Sequence, residues 1–163
     1  MIKSGSSIVL VLLLLSSCTQ NQYSNTALQS KVDSLQRQLQ NTYKPGLGEF
    51  MTAIQLHHAK LWFAGKAQNW ELANFEMQEI NESVEDAKTY CTDRPEIKSL
   101  NMIAPALDSL NAAITTHNEA GFLSGYKLLT DNCNNCHIAN QHGFNVIKTP
   151  TTLPVTDQEF EKK

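Results

Sequence analysis

The chain has 163 residues, 41% of them hydrophobic, with 13 basic and 16 acidic side chains and a formal net charge of −3. That length suffices for one domain with a real core. The acidic balance argues against nucleic-acid binding, where a basic patch is expected, and is compatible with a basic partner protein.

Residues 1–17 read as an export leader: Lys3 supplies the positive start and residues 8–15 form an unbroken apolar run. The run is too short to span a membrane, which needs about 20 apolar residues. It ends Leu15-Ser16-Ser17-Cys18, which resembles the lipobox of bacterial lipoproteins, where the Cys becomes the acylated first residue of the mature protein. The expectation is an exported protein on the periplasmic or cell-surface side of a bacterial membrane, anchored by lipid on Cys18. An ordinary secretory leader that happens to end near a Cys is the alternative.

Residues 18–47 read as a tether and a short helix. Residues 19–26 are polar and suit a flexible tether. Leu28, Val32, Leu35 and Leu39 then recur at spacings of four and three, a coiled-coil-like seam about two heptads long. It suits a spacer, a small dimerisation segment or a helix docked on the core. Lys44-Pro45-Gly46-Leu47-Gly48 ends it.

Residues 48–142 predict four amphipathic helices. The first, from Glu49 to about Ala67, has Ile54 and Leu61 at the centre of its apolar face, flanked by Phe50, Met51, His57 and His58. Asn69 suits the N-cap of the second, which carries Ala73, Met77, Ile80, Val84 and Ala87 as its seam and Glu76, Glu79, Glu82 and Glu85 on a solvated face. Asp93 and Pro95 open the third, and Pro105 should kink or restart it, with Ala104 pushed out of the αR region. Asn118 caps the fourth, whose seam is Phe122, Tyr126, Leu129, Cys133 and Cys136. No segment reads as a strand and no internal repeat is evident. Residues 143–163 are expected to lie extended along the helices, their last residues loose. The fold class is therefore all-α, a four-helix bundle with an extra N-terminal helix and an extended C-terminal tail.

The seam of the fourth helix contains Cys133-Asn134-Asn135-Cys136-His137, a C-x-x-C-H. Two thiols three apart, and an imidazole four after the first, share one helix face. Such a face suits one covalent c-type haem, a thioether on each sulfur and the imidazole of His137 as proximal iron ligand. A thioredoxin-like dithiol would be expected beside a βαβ pattern, which is missing. A zinc site needs a second ligand pair, and Cys91 stands alone; burial as a small hydrophobe accounts for it. A chance match is the remaining alternative.

Four helices with C-x-x-C-H late in the last resemble cytochrome c′, the four-helix-bundle class of c-type cytochromes. The resemblance covers roughly residues 49–142 and rests on helix count, motif position and size. Segments 57–65 and 133–137 are also similar to small exported bacterial proteins without an established role. The lipid anchor, the N-terminal helix, the long C-terminal tail and the His pair of the first helix depart from the cytochrome c′ pattern.

Those histidines complete the candidate set. His58 lies nearer the centre of the apolar face and is the better candidate for a distal iron ligand, by likeness to the b-type four-helix-bundle cytochrome, whose two iron ligands come from its first and last helices. His57 is the second candidate and Met51 a weaker one; a hydrogen-bonded histidine at the pocket rim is the plain alternative. His142 suits a helix end or a haem propionate, and His117 a surface position near a helix dipole. Trp62, Trp70 and Phe75 suit core or pocket wall. No catalytic arrangement is evident.

The favoured function is electron transfer by a lipid-anchored mono-haem cytochrome. The alternatives are a gas-binding haem protein with an open distal site lined by Leu61 and Ile54, and a non-haem helical lipoprotein acting in interaction. Leu56 and Phe63, on the far side of the first helix, should be covered by the tail residues Phe144, Val146 and Ile147, by the Leu28–Leu39 seam, or by a second subunit in a homodimer.

Overall fold

The structure, a computed structural model, describes residues 17–40 and 42–162, with side chains from residue 25. Of the leader expected at residues 1–17, all but Ser17 lies outside the described residues, as does the side chain of Cys18. The described chain is all-α, and no described helix is long and apolar enough to cross a membrane. It divides after Lys44 into two units.

The first unit contains α1, Ser17–Gln40. The stretch expected to be a flexible tether is thus helical, and Leu28, Val32, Leu35 and Leu39 are exposed.

The second unit contains α2 (Leu47–Lys66), α3 (Trp70–Tyr90), a 3-10 segment (Pro95–Ile103), α4 (Ala104–Thr115) and α5 (Glu119–Ala139). The Glu49 carboxylate accepts the Gly46 N–H at 3.1 Å and so fixes the entry to α2. Asn69 and Asn118 cap α3 and α5 as expected, each carboxamide oxygen accepting the N–H three residues on, from Leu72 and Gly121.

α2–α3 and α4–α5 form two helical hairpins closed by the same turn. Gln68 (φ 54°) and His117 (φ 53°) take the left-handed conformation just before each cap. The cap N–H then bonds back five residues, Asn69 to the Ala64 carbonyl at 2.9 Å and Asn118 to the Ala113 carbonyl at 2.8 Å. This is the 6→1 bond of a Schellman ending, which satisfies carbonyls the helix leaves open. The two turns also meet, since the His117 ring stacks on Trp70 with centroids 5.6 Å apart and planes 7° apart.

The core joins Leu61, Met77, Ile80, Leu110, Phe122, Tyr126 and Leu129. α2 approaches closely enough for a Cβ on Gly65 to fall inside the Phe122 ring, so only glycine fits there.

Several expectations need correction. Ala104 stays αR (φ −53°, ψ −46°), because the 3-10 segment feeds straight into α4 and its N–H finds the Asn101 carbonyl. Pro105 then occupies the first turn, where a missing N–H costs nothing. Phe75 is 50% exposed rather than core. The tail does cover Phe63, but through Phe160, whose ring centroid lies 5.8 Å away. Phe144 and Val146 stay 84% and 70% exposed. The end of the tail is not loose at Phe160, which is 5% exposed and gives its carbonyl to the Asn69 carboxamide at 3.2 Å. Leu56 remains partly exposed.

Phe160→Ala should therefore destabilise the protein by about 3 kcal/mol, within the range for truncating a buried Phe. Phe144→Ala should change stability by less than about 0.5 kcal/mol, as for other exposed positions. Denaturant unfolding of the two variants checks the contrast.

Candidate functional site

The buried stripe of α5 runs from Phe122 through Tyr126 and Leu129 into the motif, where Cys133 is half-buried and Cys136 buried. Both thiols, His137 and His58 line one cavity of about 350 Å³, at the lower end of the range for small-molecule sites. Leu47, Met51 and Ile54 of α2 and Leu100 and Ile103 of the 3-10 segment give it apolar walls. Leu61, expected among them, is instead fully buried in the core. Arg94 and Glu96 bring charge to the cavity and His142 a polar ring. Arg94 Nη2 lies 2.7 Å from Glu96 Oε1, and this bond holds the Glu96 carboxyl down at about 2. His142 Nε2 stands 3.3 Å from the same oxygen.

His137 Nδ1 lies 2.6 Å from the Asn145 carbonyl. A carbonyl only accepts, so Nδ1 carries the proton and donates it. Nε2 is then the nitrogen with the free lone pair, and among the described residues it has no hydrogen-bond partner. This is the tautomer a metal-bound imidazole adopts when a backbone carbonyl holds its other nitrogen. Two thiols and such an imidazole on one wall, with apolar side chains around them, fit a covalent haem.

The thiols do not suit dithiol chemistry. Burial pushes Cys133 up to about 12, with Cys136 adding to the effect, and burial also raises Cys136. A redox dithiol depends on a lowered pKa at its attacking sulfur. Among the described residues no three His, Cys, Asp or Glu side chains are placed to hold a bare metal ion.

His58 reaches the cavity but is bound on both ring nitrogens. Nε2 lies 2.9 Å from Thr130 Oγ1 and Nδ1 lies 3.0 Å from the Tyr126 hydroxyl. Tyr126 also donates to the His58 carbonyl at 2.9 Å, and Thr130 to the Tyr126 carbonyl at 3.0 Å. Burial lowers the His58 pKa to about 4, so near neutrality the ring is neutral and carries one N–H. Each ring nitrogen faces a hydroxyl oxygen within 3.0 Å, so neither is open to the cavity while both partners stay in place. The geometry is that of a hydrogen-bonded wall histidine. Trp62 closes over the group, its ring 4.8 Å from that of Tyr126.

His57 does not line the cavity. Its Nδ1 donates to Glu76 Oε2 at 2.7 Å, between α2 and α3. Glu76 was expected on the solvated face and is instead 0% exposed. Lys60 Nζ, 3.5 Å from Oε1, balances its charge, although Oε1 makes no hydrogen bond. Buried carboxylates need such partners. Cys91 is buried, as expected, its thiol 3.7 Å from the Pro45 carbonyl.

Sequence reasoning missed Tyr126 and Thr130 as partners of His58, and Asn145 as the acceptor for His137. Tyr126 and Thr130 lie 68 and 72 residues from His58, beyond any local pattern.

The His58 environment has a pH signature. Its folded pKa of about 4 lies below the ordinary 6.5. As pH falls below 6.5 the unfolded chain takes a proton the folded chain refuses, so stability drops until about pH 4. The loss in the haem-free chain should be on the order of 3 kcal/mol, at 1.36 kcal/mol per pH unit. Urea unfolding between pH 7 and 4 should show this component in the parent and lack it in His58→Gln.

No family model, curated protein or solved structure matches the chain.

Proposed function

We propose that the chain is a mono-haem c-type cytochrome that carries electrons. The observation behind this reading is the set on one cavity wall: Cys133, Cys136, and a His137 whose Nδ1–H is committed to the Asn145 carbonyl. The haem would supply a one-electron couple. The two thiols would hold it covalently, His137 Nε2 would ligate the iron, and the apolar walls would keep water from its faces. The polar groups Arg94, Glu96 and His142 would meet its polar edge or a partner protein. In the same reading Cys18 is acylated and tethers the exported protein to a membrane.

A second reading, binding of a small gas, is favoured by the engagement of His58 with Tyr126 and Thr130. A His58 held in this way would not be free to ligate the iron. Low-spin ligation would require His58 to release Thr130 or Tyr126, or Met51 to take its place. The absorbance spectrum of protein made with haem-attachment machinery separates the readings: sharp low-spin reduced bands favour electron transfer, and a high-spin spectrum favours the open site.

Cys133→Ala with Cys136→Ala should abolish haem staining after denaturing electrophoresis, whereas the parent stains; a parent without stain ends the cytochrome reading. Cys18→Ser should move the protein from the membrane fraction to the soluble exported fraction, because acyl chains supply most of such an anchor's affinity. Equal partitioning of parent and variant would rule the anchor out.

A further inference from the structure

The two spacer residues of the motif differ in what they touch. Asn135 is exposed. Asn134 is half-buried, and its carboxamide pairs with both backbone groups of one distant residue: Nδ2–H donates to the Ile147 carbonyl at 2.8 Å, and the Ile147 N–H donates to Oδ1 at 2.8 Å. Only one orientation of the amide makes both bonds, so the pair is specific, as in a β-bridge.

Ile147 stands two residues after Asn145, whose carbonyl holds His137. The segment between α5 and Ile147 is thus pinned at its near end, where the Asn145 N–H bonds the His142 carbonyl at 2.8 Å, and at its far end by Asn134. Burial contributes less, because Phe144 and Val146 lie mostly in water and of residues 143–147 only Ile147 is half-buried. Hydrogen bonds therefore keep the Asn145 carbonyl where His137 needs it.

We propose that Asn134 is a positioning residue for the iron ligand: by clamping Ile147 it fixes the Asn145 carbonyl on His137 Nδ1 and so sets the tautomer and basicity of the imidazole. The inference rests on the haem reading and adds to it a spacer residue that tunes the couple. A hydrogen bond from the outer nitrogen raises the basicity of a ligating histidine. A more basic ligand favours the oxidised iron, so loss of the clamp should raise the reduction potential.

The test compares the holoprotein with Asn134→Leu, which keeps bulk and removes both bonds, and with Asn135→Ala as a control. Haem should remain covalently attached in all three. Asn134→Leu should shift the oxidised-to-reduced ratio at fixed poise about tenfold toward reduced, equal to ~59 mV for one electron, while the control stays at the parent value. An attached haem with an unchanged potential in Asn134→Leu would overturn the proposal and leave the cytochrome reading standing. A parent without haem would overturn both. Nitrogen-15 NMR of the His137 ring in the haem-free full chain gives a second measure, which Asn134→Ala also serves should the leucine variant not fold. The parent ring should be Nδ1-protonated and the variants should lose that preference. Variants with the parent's tautomer would count against the clamp.

Discussion

One stripe of α5 serves both the core and the cavity, and the rest of the second unit is arranged around that double duty. Phe122, Tyr126 and Leu129 are large and fully buried; one helical step on, the same stripe presents the small side chains Cys133 and Cys136. Replacing bulk with thiols on an unbroken helix makes room without bending the backbone. The space is bounded instead by α2 and the 3-10 segment, whose apolar side chains line it. Position along a single helix thus decides whether a residue is packing or chemistry.

Local chemistry was the part of the fold legible in the sequence. Asn69 and Asn118 could be read as caps because a short carboxamide before an apolar repeat has a direct local use. The α5 stripe could be read because period 3.6 runs through it without interruption. The 3-10 segment could not, since a nine-residue stretch with Ile97, Leu100 and Ile103 at threes fits either helix type. Phe160 could not either: a lone aromatic near a charged end has no periodicity to declare that Phe63 awaits it.

The site divides in the same manner. Cys133, Cys136 and His137 were legible from spacing alone, and the cavity that joins them to His58 depends on packing. Glu76 is instructive. It stands three after Ala73 and four before Ile80, spacings that place it on the buried side of α3, yet its charge argued for water. Burial was possible because His57 and Lys60 of α2 face it. His57 was thereby drawn away from the cavity, and one polar pair settled the placement of two residues. Which of two adjacent histidines meets the cavity is a question about partners on other helices.

The paired turns at Gln68 and His117 make the unit unequal from end to end. At that end each hairpin closes through residues near in sequence, and Trp70 against His117 stitches the two together. At the opposite end Phe50 stacks on Tyr90, but there the start of α2 and the end of α5, separated by most of the unit, must also come together to enclose the cavity. Contacts of short sequence separation form early and distant ones late. The molecule should thus assemble like a purse, seamed first at its base and drawn closed last at its mouth, with the cysteines waiting at the opening.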